Sequence, residues 1–383
     1  MQQIYLDNNA TTKMLPEVAE VIVEAHRAGY ANPASQHQSG QRARRVLEDA
    51  RERITQLLGG QTTGLHPDRL LITSGGTESN NLALRGLTTG VRDANIVISP
   101  LEHPSISETA LQLSRSGIAV RRLQVDRNGV VQTAELDRLL DERTRVVSVM
   151  LGNHETGVLQ PVETVADIAR KRGVPMHCDG VQAVGKIPVD FRALGVDALS
   201  VSPHKLHGPV GIGGLLLRHD VALAPLMAGG FQQQGIRPGT ESIALTLGFL
   251  KALELWAEQA TESERQMRTL RDMLEDRLRA EIPSVIINGC GADRLPHTSN
   301  ISFPGLNRQA FVLALDMAGV ACSTGSACAS GSSEPSPVLI AMGLEPPVVE
   351  GSIRISLSRS TTASDIERAS LHILRVYKAL QQS

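Results

Sequence analysis

The stretch Ala198-Leu199-Ser200-Val201-Ser202-Pro203-His204-Lys205-Leu206-His207-Gly208-Pro209 organises the rest of the chain. Ala198 to Val201 is an apolar run that reads as a buried strand, and Ile212-Gly213-Gly214-Leu215-Leu216-Leu217 reads as a second one. Proline and glycine between them stop helix or strand from continuing, which puts Lys205 on a tight turn. Lysine is costly to bury without a partner or a task. A solvated loop lysine is the ordinary outcome. The sharper reading is a Schiff-base lysine with Ser202 and His204 as donors to a nearby phosphate. The turn alone leaves both open.

Working outward, short apolar runs alternate with helical patterns. Leu70 to Thr73, Asn95 to Ser99, Ala119 to Val125, Arg145 to Leu151 and Val174 to His177 read as strands. Gln41 to Leu58 is helical, with Leu47, Ala50, Ile54, Leu57 and Leu58 on one face and an Arg44–Glu48 pair on the other. Ala134 to Leu140 and Val162 to Arg172 are helical as well. This alternation predicts an α/β fold with a mostly parallel sheet and helices on both faces. Ligands of such sheets bind beyond the carboxyl ends of the strands. His103, Asn153, Asp179 and Lys205 all follow strands at that end.

Asp179 closes a strand that should be buried, so its carboxylate needs a cationic partner. That partner is either a structural salt bridge or the protonated ring nitrogen of pyridoxal phosphate. Ser74-Gly75-Gly76-Thr77-Glu78 follows a strand and opens a helix, which suits either an anion cradle at Gly76 and Thr77 or an ordinary helix start. It is neither a Walker loop nor GxGxxG. Lysine, acid, phosphate donors and an α/β sheet fit pyridoxal 5′-phosphate better than any other cofactor.

A helical stretch from about Glu241 to Arg279, with Leu245, Phe249, Ala252 and Trp256 on one face, leads to a smaller α+β domain. The division expected is 14–257 for the large domain, and 1–13 with 258–383 for the small one. In Ser352 to Leu357, alternation sends Ile353, Ile355 and Leu357 to one face and Arg354 to the other, where its fork suits a carboxylate or a surface ion pair. Thr362 and Asp365 form a capping box for the last helix. Ser323 to Ser333 holds no large apolar residue, so Cys328 is expected on an exposed, reactive loop. Cys322, after Met317-Ala318-Gly319-Val320-Ala321, is expected to be packed and inert.

The 383 residues carry a net charge of −2, which offers nucleic acid or an anionic membrane no electrostatic attraction. No apolar run approaches a membrane span, no signal peptide is visible, and the four cysteines show no CxxC spacing for zinc. A reducing cytoplasm is the expected setting.

Taken together, several stretches resemble the cysteine desulfurases of the NifS and IscS type, within the class V aminotransferases. They are Tyr5 to Thr12, Thr73 to Ser79, Glu102-His103, Asn153 to Gly157, His177 to Gln182, Ser202 to Lys205, Ser323 to Cys328, Glu334 to Ser336 and Ser352 to Arg354. The resemblance implies a fold-type I pyridoxal-phosphate enzyme, usually a homodimer. Lys205 would join the cofactor and move the substrate α-proton, Asp179 would pair the ring nitrogen, and Gln182 the ring hydroxyl. His103 would stack on the ring and serve as acid or base. Thr77, Ser202, His204 and the Gly76 amide would hold the phosphate, with Thr240 reaching that of the neighbouring subunit. Asn153 and Arg354 would hold the substrate carboxylate. Cys328 would take the sulfur of L-cysteine as a persulfide, releasing alanine. Its acceptor would be a protein such as an iron–sulfur scaffold, with which Cys328 could transiently ligate the cluster; no other metal site is implied. A selenocysteine lyase, or another class V lyase or transaminase, is the alternative. One departure stands out: Gln233 and Gln234 occupy positions where many members carry an acid and a base, which puts a local ion pair or partner contact in question.

Overall fold

The computed structural model describes residues 3–91, 93–325 and 334–381. Its strands are β1 Ile4–Tyr5, β2 Arg69–Thr73, β3 Asn95–Ile98, β4 Ala119–Arg122, β5 Thr144–Ser148, β6 Met176–Asp179, β7 Ala198–Val201, β8 Gly213–Leu217, β9 Ile286–Asn288, β10 Thr298–Ser302, β11 Val320–Ala321 and β12 Ser352–Ser356. Seven form one sheet in the order β2-β8-β7-β6-β5-β3-β4. All its pairings are parallel except the two made by β8, which runs against β7 and β2. The mostly parallel α/β fold follows from the apolar runs: β3, β6, β7 and β8, covered on both faces, are buried along their whole length.

The period of two shows directly in the packing. Leu70, Val97, Val147, Leu199 and Leu216 join one apolar cluster. Their neighbours Leu71, Ile96, Val146, Ala198 and Leu215 join another, on the opposite face. The first cluster includes Ile54, Val165 and Phe249, from helices Gln38–Leu57, Val162–Lys171 and Ile243–Ala257. The second includes Leu82 and Ile106, from helices Gly76–Thr88 and Pro104–Arg115.

A further cluster gathers Ile4, Leu6, Leu274, Ile301, Phe303, Ile353, Ile355 and Leu357 around the antiparallel sheet β12-β10-β9. Leu6 thus packs with residues more than 260 positions away, and β1 pairs with β11. The Thr362–Asp365 capping box is formed reciprocally at 3.0 and 3.1 Å.

Two local expectations are corrected. The stretch from Glu241 to Arg279 is two helices, Ile243–Ala257 and Ala260–Glu281, broken at Glu258 and Gln259. Phe249 and Ala252 are fully buried on the first, while Leu245 and Trp256 are half-buried. Arg44 does not pair with Glu48: it donates to the Pro33 carbonyl at 2.9 Å, and Glu48 takes Arg51 at 2.6 Å.

The glutamines at the departure from the family pattern have a defined task. β2 is an edge strand, and its Ile72 N–H and C=O face away from β8. The Gln233 amide accepts from that N–H at 2.6 Å and donates to that C=O at 2.9 Å. One side chain thereby occupies the hydrogen bonds that would otherwise template a foreign strand. Arg69 donates to Gln234 at 2.9 Å. An acid at position 233 could accept from Ile72 but could not donate back.

Candidate active site

The chain reverses from β7 to β8 through one turn of 3-10 helix, Pro203–Lys205, at the carboxyl end of the sheet. Lys205 Nζ enters a cavity of about 580 Å³ and donates to the carbonyls of Asn9 at 2.5 Å and Ala10 at 2.8 Å. The polar N-terminal stretch therefore crosses the sheet end. Asn9 is anchored by its own side chain to the His154 carbonyl at 3.1 Å and to Thr298 Oγ1 at 2.9 Å.

Asp179, the last residue of β6, lines the same cavity and is buried. Its Oδ2 accepts from Asn80 Nδ2 at 2.7 Å and its Oδ1 from the Val181 amide at 3.0 Å. Both bonds fix the direction in which the carboxylate points. Gln182 also lines the cavity; its Nε2 donates to the Asn9 carbonyl at 3.1 Å, and its buried Oε1 has no partner among the described residues.

His103 caps the helix Pro104–Arg115. Its Nδ1 accepts from the Ser105 amide at 3.1 Å, so the neutral ring carries its proton on Nε2. Burial lowers its pKa, opposed by the Asp179 charge.

One end of the cavity is built for an anion. Helix Gly76–Thr88 begins there with no side-chain cap, leaving its first amides free for a ligand. A Cβ at Gly76 would meet Val181 Cγ2 at 2.8 Å, so that position has no room for a side chain. Thr77, Ser202 and His204 line the same end. The buried Ser202 hydroxyl has no partner among the described residues, an orphaned donor that a phosphate oxygen would satisfy. Burial and then Lys205 bring the His204 pKa to about 4. The donor set suits pyridoxal phosphate: an anion cradle, a hydrogen-bonded carboxylate and a lysine line one cavity.

Asn153 is held within its own loop. Its amide is fully engaged, donating to the Leu101 carbonyl at 3.1 Å and accepting from the Glu155 and Thr156 amides at 2.9 Å each. It shapes its own loop and does not line the cavity; the next residue, His154, does. The His154 ring meets His103 edge-on at 5.4 Å, and its buried Nδ1 has no partner among the described residues. Burial holds His154 well below the usual imidazole range.

Arg354 lies behind His154, donating to its carbonyl at 3.0 Å and pairing Asp7 at 2.7 Å. It also donates to the Gly325 carbonyl at 3.3 Å, and its backbone pairs with Ser323. Cys328 lies outside the described residues, but the chain leading to it is moored at Arg354. Cys322 is half-buried against the cluster around the antiparallel sheet, and burial pushes its thiol up to about 12. Thr240 is exposed and lies in a different cavity, with Asn32, Arg51 and Gln233.

Sequence reasoning gave no role to Asn80, His154 or Glu102. Glu102 is fully buried; its Oε1 accepts from the Met150 amide at 2.8 Å, and burial, then Asp179, raise its pKa well above the usual range. The available signal for Asn80 was its place one helical turn beyond the glycine cradle.

Beneath Asp179, His177 is wedged between Ser148 Oγ and Ser200 Oγ, each at 2.9 Å. Burial brings its pKa to about 4. The unfolded chain, titrating near 6.5, binds the proton first as pH falls. His177 therefore costs stability progressively from about pH 6.5 down to about 4, to a total of about 3 kcal/mol. The stability of wild type relative to His177→Gln is expected to fall by about that amount between pH 7 and 4. Urea titrations at both pH values measure it, and a pH-independent difference contradicts the assignment.

The class-V aminotransferase profile matches residues 4–369. The chain is 41% identical over 369 residues to "Cysteine desulfurase" of Trichormus azollae, covering 96% of this chain and 91% of that one. It is 38% identical to "Cysteine desulfurase NifS" of Azotobacter vinelandii, with the same coverage. Among solved structures, a "NIFS-LIKE PROTEIN" superposes with a TM-score of 0.89 at 33% identity, covering all of both chains.

Proposed function

The chain belongs to the class-V aminotransferase family, on its NifS-type cysteine desulfurase branch, and from that premise we propose how its residues convert L-cysteine to L-alanine and pass the sulfur to an enzyme thiol. Family members generally work with pyridoxal 5′-phosphate. The observation that carries the reading here is the single cavity in which Lys205 meets a hydrogen-bonded carboxylate, Asp179, and an uncapped helix start with an orphaned Ser202 hydroxyl.

In this reading Thr77, Ser202, His204 and the Gly76 amide hold the phosphate. Asp179 would pair the ring nitrogen, with Asn80 and the Val181 amide aiming the carboxylate. Gln182 takes the ring hydroxyl, and His103 covers the ring. Bound there, the cofactor supplies an electron sink for the pair released when the substrate α-proton leaves. Lys205 takes and returns that proton. Arg354 shares its guanidinium between Asp7 and the substrate carboxylate.

Cys328 then attacks the substrate sulfur. An S–S bond forms on the enzyme as the C–S bond breaks. The pair from that bond stays with carbon and becomes a C–H bond of alanine on protonation. No external oxidant is needed. Sulfur passes on to an acceptor protein such as an iron–sulfur scaffold. A homodimer accounts for Thr240, which is exposed and remote from its own chain's Lys205 cavity.

The test is the product balance. Protein supplied with pyridoxal phosphate, L-cysteine and dithiothreitol is expected to yield alanine and sulfide in equal amounts. Pyruvate in place of alanine, or sulfide without alanine, overturns the reading.

A further inference from the structure

Lys186 is one of the largest fully buried side chains in the structure, 2% exposed. It lies outside the cavity. Its Nζ donates to the backbone carbonyl of Lys205 at 2.6 Å. The charged and titratable groups facing it are Lys205, His207, His297 and Arg359, with no carboxylate among them. Burial, and then the Lys205 charge, bring its amine to about 7.

An amine in such a place is costly, and packing does not demand it. Leu206, Trp256 and Met267 line the adjoining space and would accept an unbranched apolar chain. What packing does show is deliberate contact. Gly185 has φ +81°, and a Cβ there would meet Leu206 Cβ at 2.3 Å. The turn carrying Lys186 is thus pressed against the residue after Lys205. The same loop begins at Asp179 and includes Gln182, whose Nε2 shares the Asn9 carbonyl with Lys205 Nζ. One loop therefore bears the ring acid, a wall of the cavity and the clamp on the lysine's own backbone.

We propose that Lys186 is a positioning residue: by holding the Lys205 carbonyl it fixes the turn from which the Lys205 amine reaches the cavity, and so sets how fast that amine captures the aldehyde of pyridoxal phosphate. This rests on the reading of Lys205 given above.

Lys205 is the one lysine of the chain followed by leucine. Labelling lysine carbonyls with carbon-13 and leucine nitrogens with nitrogen-15 therefore isolates the Lys205–Leu206 peptide as a single correlation. In Lys186→Met, which fills the space without a donor, the Lys205 carbonyl resonance is expected to move upfield. Capture of pyridoxal phosphate by the cofactor-stripped chain, quenched with borohydride and mapped to Lys205, is expected to slow at least tenfold, with the melting temperature retained. An unmoved carbonyl resonance, or slowing of less than tenfold, overturns the proposal. Should the variant not fold, the same resonance in wild type decides. It is expected to titrate with a midpoint near pH 7, and a resonance constant from pH 6 to 8.5 overturns the proposal. Failure of wild type to label at Lys205 is a different result, and refutes the underlying reading instead.

Discussion

Lys205→Ala is expected to give a folded protein that forms no covalent bond with pyridoxal phosphate and turns over L-cysteine at least about 10³-fold more slowly than wild type. The fold should survive because the turn is closed by backbone bonds. Leu206 and Gly208 both donate to the Pro203 carbonyl, and the Thr12 amide donates to the His204 carbonyl at 2.9 Å. The side chain donates to the Asn9 and Ala10 carbonyls. Loss of these bonds costs about 1 kcal/mol each, partly offset by the amine no longer being desolvated. Lys186 cannot substitute, because its amine is committed to the Lys205 carbonyl outside the cavity. The phosphate cradle is untouched, so the variant should still bind the cofactor reversibly. Borohydride treatment and peptide mapping make the measurement. A label on another lysine, or near-native turnover, would remove Lys205 from the centre of the site.

The sheet was legible because a strand covered on both faces must be apolar throughout. Runs such as Leu70 to Thr73 and Leu215 to Leu217 are short and flanked by glycine and polar residues, which suits buried strands rather than helices. The site was legible as far as strand ends go: Asp179, His103 and Lys205 converge because β3, β6 and β7 run parallel and put their carboxyl ends on one side. Within a tight loop that logic stops. Asn153 and His154 are adjacent, and no periodicity says which of them turns inward. The answer lies in the loop's own bonds, where the Asn153 amide is consumed by Glu155 and Thr156. Nor does sequence distinguish a buried lysine from a surface one. Lys186 follows Gly185 in what reads as a turn, and only the close approach of Leu206 closes the space over it. Gln233 and Gln234 have left-handed backbone angles, φ +48° and +59°, which no composition rule assigns to glutamine. There the strain is met by the bonds the side chains make to Ile72 and Arg69.

Cys328→Ser is expected to abolish sulfur transfer, by at least about 10²-fold, while leaving cofactor capture and substrate α-proton exchange intact. The two halves separate because different parts of the chain carry them. In the proposed reading, proton removal needs Lys205, Asp179 and the residues around them, which line one cavity at the large sheet's carboxyl end. The cysteine belongs to the segment after Gly325, whose stem is tied to Arg354 and hence to the small sheet. Serine keeps the size of the side chain but is a poor nucleophile towards a thiol sulfur and yields no persulfide. Cys322→Ser is the internal control. That thiol is pushed up to about 12 by burial, so it holds no useful thiolate at neutral pH, and it packs against the cluster around the antiparallel sheet. Its replacement should cost some stability and leave transfer at the wild-type rate. Mass spectrometry of the persulfide, read beside deuterium exchange at the substrate α-carbon, separates the outcomes. Loss of transfer in Cys328→Ser alone, with exchange retained, places the acceptor. Native turnover to alanine and sulfide in that variant would mean that sulfur leaves without an enzyme thiol, and a direct-elimination lyase would then explain the site better.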